Sequence, residues 1–197
     1  MRMQQRAKEH SLRALLGGLQ RLVTHTRVDR MIDVNLRQSC VTTATVETLL
    51  TANKILRKLR QGPTRMYNRK ITGQANLVAW SDASWASRRD GKSTGGFLIG
   101  ICGEGVLDGT RGHVFIISWG TNELKRVARS SMAAEMQALA NAEDEIHLCR
   151  LAWLESNGRQ VDLNLVNECL QEIPGTVIID AKSIFDALTS QNQPMQL

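Results

Sequence analysis

Apolar residues recur every three or four positions through residues 8–25, at Leu12, Leu15, Leu16, Leu19, Leu22 and Val23. This spacing predicts a helix, with Arg13 and Arg21 off the stripe. Gly17-Gly18 in its middle predicts a weak point, bent or open to another backbone. Met31, Ile32 and Leu36 predict a second helix over 28–38. Val46, Leu49, Leu50, Asn53, Leu56 and Leu59 predict a third over 46–60. Its last turns carry Lys54, Arg57, Lys58 and Arg60, which suit the negative end of the helix dipole, and Gly62-Pro63 stops it. Then the period changes to two. Leu77–Trp85 reads as a strand running into a turn, and Phe97, Ile99 and Ile101 alternate through a second strand. Val114–Trp119 makes a third. The Asp90-Gly91 turn and the glycine-rich stretch 102–112 separate the three, which predicts an antiparallel meander. Residues 131–155 give the strongest helix signal, capped by Ser130 or Ser131, with Met132, Met136, Leu139, Ile146, Cys149 and Trp153 along one side. After Pro174-Gly175, the β-branched run 176–179 predicts a strand buried on both faces, as in a parallel pair, and Ala181–Leu188 looks helical. The whole is an α/β pattern behind a helical N-terminal segment.

Composition refines this picture in two places. A length of 197 residues suits one domain plus an appendage, and the polar stretch 61–75, with Gly62, Pro63 and Gly73, is where a boundary is expected. The expected parts are a helical segment over 1–70 and an α/β domain over 76–197. Charge divides the same way: residues 1–70 hold 15 Lys/Arg and 4 Asp/Glu, whereas 71–197 hold 10 and 15. A basic first third points to a polyanionic partner such as nucleic acid, or to well-solvated helix faces. No run approaches the ~20 apolar residues of a membrane span, so no membrane partner is expected. The basic N-terminus lacks the apolar core of a secretory signal, and the four cysteines form no CxxC pair. Both suggest an intracellular protein, in the cytoplasm or nucleus, with reduced thiols.

Three carboxylates stand out. Asp82 shares a strand face with Val78 and Trp80, where a charge is costly without a compensating cation or hydrogen bonds. Glu135 has Ala138, Leu139 and Ala142 at plus three, plus four and plus seven, which sets it on the buried edge of its helix. Asp180 ends the β-branched strand. Each has an ordinary alternative: a solvated turn for Asp82, a snorkelling border acid for Glu135 and a helix N-cap for Asp180. The helix between the first and last strands can serve as a crossover that makes them parallel neighbours. Asp82 and Asp180 would then lie side by side at the C-terminal sheet edge, where open α/β sheets place ligands, with Glu135 in reach. Three carboxylates together need a cation, and oxygen-only ligands favour Mg²⁺ or Mn²⁺. Gly91-Lys92-Ser93 is no phosphate-binding loop, because Ala86 stands where that motif needs Gly and a strand follows instead of a helix.

The stretches Trp80-Ser81-Asp82-Ala83-Ser84-Trp85, Gly91-Lys92-Ser93-Thr94-Gly95-Gly96-Phe97, Ile117-Ser118-Trp119, Ser130-Ser131-Met132-Ala133-Ala134-Glu135 and Asp180-Ala181-Lys182-Ser183, in that order, resemble the ribonuclease H domain of copia-type retrotransposon Pol polyproteins. Upstream, Leu15-Leu16-Gly17-Gly18-Leu19, Thr26-Arg27-Val28-Asp29 and Ile55-Leu56-Arg57-Lys58-Leu59 resemble the connection segment of the preceding reverse transcriptase, with Val28 where the family has Pro. The resemblance implies a ribonuclease H-like mixed sheet, here ending before its last strand. It implies two Mg²⁺ (or Mn²⁺) ions ~4 Å apart that flank the scissile phosphodiester in the RNA strand of an RNA–DNA hybrid. By motif, Asp82 would bridge the ions, Glu135 would hold the second and Asp180 would complete the set. Arg88, Arg89, Lys92, Lys125, Arg126 and Arg129 are candidate phosphate contacts or plain surface charge. The remainder of the Pol polyprotein is an implied partner. The family's fourth acid, after the last helix, is expected beyond Leu197, while Asp186 comes too soon after Asp180 to replace it. Activity is therefore expected to be weakened or lost in this fragment. The alternative is a catalytically dead nucleic-acid-binding or scaffold domain of a decayed element.

Overall fold

The computed structural model describes residues 2–62, 67, 70–71, 73–88 and 90–190, the side chains of 2–8 and 190 excepted. The chain forms two compact units, Met1–Tyr67 and Asn68–Leu197.

The first unit is helical. Helix α1 (Arg2–His25) buries Leu12, Leu16, Leu19 and Val23 at intervals of three and four. It runs unbroken through Gly17-Gly18, both exposed, and among the described residues nothing lies within 4 Å of where a Cβ would sit on either. The predicted weak point is thus a solvent-facing stretch and no crossing site. A 3₁₀ turn (Val28–Arg30) leads into α2 (Met31–Gln38), which buries Met31 and Val34. Helix α3 (Val46–Gln61) starts on a capping box between Thr45 and Thr48. Its buried stripe is Thr48, Ala52, Ile55 and Leu59, while Val46 and Leu50 are 58% exposed. Of the predicted stripe, Leu59 is buried and Leu49 and Leu56 are half-buried, and the inward face is rotated to take in Thr48, Ala52 and Ile55.

The second unit is a four-stranded sheet in the order β3-β2-β1-β4. Strands β1 (Asn76–Ser84), β2 (Thr94–Cys102) and β3 (Val114–Glu123) form the antiparallel meander, with a register irregularity at Ile99/Gly100. Strand β4 (Gly175–Ile179) pairs parallel to β1, from Leu77↔Gly175 to Ser81↔Ile179. Helix α4 (Ser131–Ser156) is the crossover, a short α5 (Val166–Gln171) that the sequence pattern did not predict follows, and α6 (Lys182–Ser190) comes after β4. This mixed sheet with helices is consistent with a ribonuclease H-like fold.

The core is built from odd-numbered strand positions: Leu77 and Ala79 on β1, Ile99 and Ile101 on β2, packed with Ile146 and Leu154 of α4 and with Ile173. Two expectations are corrected here. The C-terminal half of the α4 stripe is as expected, with Ile146 buried and Cys149 and Trp153 against the core, but the N-terminal half buries Ala134, Ala138 and Ala142 while Met132 and Met136 are 38% and 39% exposed. The reason is close approach: a Cβ on Gly95 of β2 would lie 3.2 Å from the Ala138 Cβ, so small residues on both sides let the helix settle onto the sheet. Strand β4 is not buried on both faces. It lies at the end of the strand order, with Thr176 exposed and Ile178 40% exposed. Among the described residues no helix is long and apolar enough to cross a membrane.

Candidate metal centre

Register places the three acids. Ser81 of β1 stands opposite Ile179, the last residue of β4, so the next residues of the two parallel strands are Asp82 and Asp180. Both project from the same C-terminal edge. Ser130 caps α4 by accepting a hydrogen bond from the Ala133 N–H, which fixes where the helix begins and sets Glu135 one turn in. The Ala134–Ala138 contact with the sheet then brings Glu135 to the strand ends. One carboxylate oxygen from each of Asp82, Glu135 and Asp180 lies within 4.8 Å of the other two.

The electrostatics of the three are uneven. Asp82 and Asp180 are exposed and Glu135 is partly buried. Burial pushes the Glu135 carboxyl above its ordinary range; Asp82 and, less strongly, Asp180 add to this, and a hydrogen bond from the Ala83 backbone opposes it. Glu135 Oε2 is fully buried and has no hydrogen-bond partner among the described residues. A buried carboxylate oxygen left without a donor, facing two more carboxylates, is a poor arrangement for a bare protein and a good one for a hard cation. The donor set is all oxygen, which suits Mg²⁺ or Mn²⁺ better than zinc. Asp186 lies exposed on α6 and is not among the clustered acids.

The basic candidates fall into two groups. Arg88 is turned inward, 8% exposed, with Nε donating to Thr94 Oγ1 at 3.1 Å and a guanidinium nitrogen 3.6 Å from Glu123. Lys92 also meets Glu123, at 2.6 Å, and Asp90 at 3.5 Å. These two cations brace the β1–β2 turn against the end of β3. Lys125, Arg126 and Arg129 are exposed on the loop entering α4. Arg89 lies outside the described residues. Trp85 stands apart from the acidic and basic candidates; the signal for it in the sequence is a tryptophan three residues past Asp82, in a turn of small and polar residues. Its indole N–H donates to the Ala128 carbonyl at 2.9 Å.

No family model matches the chain. Over 141 residues, 71% of its length, it is 33% identical to the retrovirus-related Pol polyprotein from transposon RE1 of Arabidopsis thaliana. The matched stretch amounts to 9% of that polyprotein. The chain is therefore similar to a segment of a retrotransposon Pol polyprotein and spans a small part of the relative's length.

Proposed function

We propose that the chain is the ribonuclease H region of a copia-type retrotransposon Pol polyprotein, preceded by the connection segment of its reverse transcriptase, and that its site is built to hydrolyse the RNA strand of RNA–DNA hybrids, with activity weakened or lost where only three of the family's four acids are present. The observation that carries this reading is the convergence of Asp82, Glu135 and Asp180 at one sheet edge. The mixed sheet and the similarity to a retrotransposon Pol polyprotein support it.

In this reading Asp82, Glu135 and Asp180 hold Mg²⁺ or Mn²⁺. When bound, such ions supply Lewis acidity at the scissile phosphate and a more acidic attacking water. The chain's own contribution is positional. The β1–β4 pairing fixes Asp82 and Asp180, and the Ser130 cap and alanine stripe of α4 fix Glu135. Selection of RNA over DNA rests on the 2′-hydroxyl, the group that distinguishes the two at one site. The helical unit, rich in Lys and Arg, adds salt-dependent affinity for the hybrid's phosphates.

The test is hydrolysis of a hybrid labelled separately on each strand, with Mg²⁺ or Mn²⁺. Any cleavage is expected to be feeble, confined to the RNA strand and reduced at least about a hundredfold by Asp82→Asn, since an amide cannot replace a charged ligand. Cleavage of the DNA strand, or cleavage undiminished in Asp82→Asn, contradicts the reading.

A further inference from the structure

Trp85 is 51% exposed, yet its ring is not loose. The hydrogen bond from its indole N–H to Ala128 ties the β1–β2 turn to the loop that enters α4. The turn is braced in its own right. The Ala86 N–H donates to Ser93 Oγ at 3.0 Å, Ser87 Oγ donates to the Ser84 carbonyl at 3.0 Å, and Arg88 grips Thr94 at 3.1 Å. Ala86 has a φ of 49°, a left-handed conformation costly for a residue with a Cβ, and these bonds hold it there. A tryptophan whose polar end is satisfied while half of it faces solvent, on a rigid support, is built to receive something flat and apolar.

The tethered loop supplies the complementary charge. Lys125, Arg126 and Arg129 are exposed, and among the described residues none has a carboxylate at ion-pair distance. Glu123, at the end of β3, is already engaged by Arg88 and Lys92. Val127, between the cations, is 90% exposed. Trp85 and Arg129 lie close in sequence to the elements that carry the acidic cluster, while Lys125 and Arg126 line a neighbouring groove with Gln137 and Asn141 of α4. Trp85 lies three residues past Asp82, in the turn that follows β1, and Arg129 immediately precedes the Ser130 cap of the helix that carries Glu135. An aromatic ring beside unpaired cations matches one chemistry, a nucleotide: a sugar or base on the ring and phosphates on the cations.

We propose that Trp85, Lys125, Arg126 and Arg129 form a nucleic-acid platform beside the acidic cluster, on which the substrate strand lays a sugar or an unpaired base while its phosphates meet the cations. The proposal rests on the ribonuclease H reading for the identity of that strand.

The experiment measures binding of fluorescein-labelled RNA–DNA hybrid, blunt or with a single-stranded overhang, across salt concentrations. It uses the full chain carrying Asp82→Asn so that the RNA stays intact. Trp85→Ala should weaken binding about tenfold or more, the scale of one lost stacking partner, with an unchanged salt slope. Trp85→Phe should stay within about threefold, because it keeps the ring. Changing Lys125, Arg126 and Arg129 together to Gln should flatten the salt slope by about two to three. A greater Trp85→Ala effect on the overhang substrate identifies a base on the ring, and an equal effect identifies a sugar. Equal affinity of Trp85→Ala and its parent overturns the proposal. Should Trp85→Ala fail to fold, tryptophan emission decides: quenching by hybrid in the parent that disappears in Trp85→Phe supports the platform, and identical quenching in both overturns it. Cleavage by the unsubstituted chain is scored separately. Binding through Trp85 with cleavage of the DNA strand leaves the platform standing and overturns the ribonuclease reading; cleavage confined to the RNA strand with unchanged Trp85→Ala binding does the reverse.

Discussion

Asp29 in the helical unit and Glu135 in the sheet unit are both carboxylates with restricted access to water, and the protein treats them in opposite ways. Asp29 is met by a bidentate Arg27, with Nε and Nη2 donating at 2.8 and 2.9 Å, and by Arg30 at 3.2 Å. The hydrogen bond from Arg27, more than any other influence, holds its carboxyl below the ordinary range. Arg27 also donates to the Leu59 carbonyl at 3.1 Å, one of the last carbonyls of α3 and so without a partner inside that helix. Here a carboxylate helps fasten helices, and its needs are met by the chain itself. Glu135 has a buried oxygen without a partner and two other acids for neighbours, and burial raises its carboxyl above the ordinary range. A satisfied carboxylate serves structure. An unsatisfied one, held by a capped helix against a sheet edge, is a place kept for a ligand.

Removing the satisfying partner should have the larger effect. Arg27→Met leaves Asp29 with Arg30 alone and the Leu59 carbonyl without its donor, so the helical unit should lose about 2 kcal/mol by denaturant titration. The sign with pH follows from the depressed carboxyl. Its stabilisation is present above the ordinary carboxylate range and is lost as pH falls through the depressed value, and in Arg27→Met this acid-side loss should shrink. An unchanged midpoint and acid limb would show that Asp29 and Glu135 are not in contrasting environments.

A smaller effect of opposite sign is expected at Glu135. Glu135→Gln removes a charge that the cation-free fold holds at a cost, so thermal unfolding without divalent ions should shift upward by about 2–4 °C for each kcal/mol relieved. The pH sign is reversed as well. With a raised carboxyl, the group's contribution is greatest below the ordinary glutamate range and declines as pH rises through the raised value. That decline should be absent in Glu135→Gln and offset by Mg²⁺ in the parent. A lower midpoint in Glu135→Gln would mean that the acid is a structural partner like Asp29.

The strand pattern and the order of the acids were legible because they are local. Alternation marks β1 and β2, and a carboxylate at the end of a β-branched run marks Asp180. The orientation of helix faces was less legible. On α3 and α4 the largest apolar residues predict part of the buried stripe, Leu59 and Ile146, but not Ala52 in one or Ala134, Ala138 and Ala142 in the other, because close approach favours small side chains and the partner, Gly95 for Ala138, is distant in sequence. The burial of Arg88 was hidden for the same reason: Glu123 and Thr94, which draw it inward, meet it only through the β1–β2 and β2–β3 pairings. Helix α5 is too short, at 6 residues, to show a period of its own. Pairing of β4 with β1 was inferable from the crossover helix; the exposure of β4 depends on what lies beside it, which its own composition does not encode.

Calorimetric titration of the metal-free chain with Mn²⁺ asks whether the unsatisfied acids are a cation site without requiring turnover. Saturable binding is expected, weakened at least about tenfold by Asp82→Asn, Glu135→Gln or Asp180→Asn singly, as when a charged ligand is removed from a carboxylate site, and unaffected by the exposed Asp186→Asn. Binding that persists with all three substituted, or that depends on Asp186 instead, would contradict a cation site at these acids.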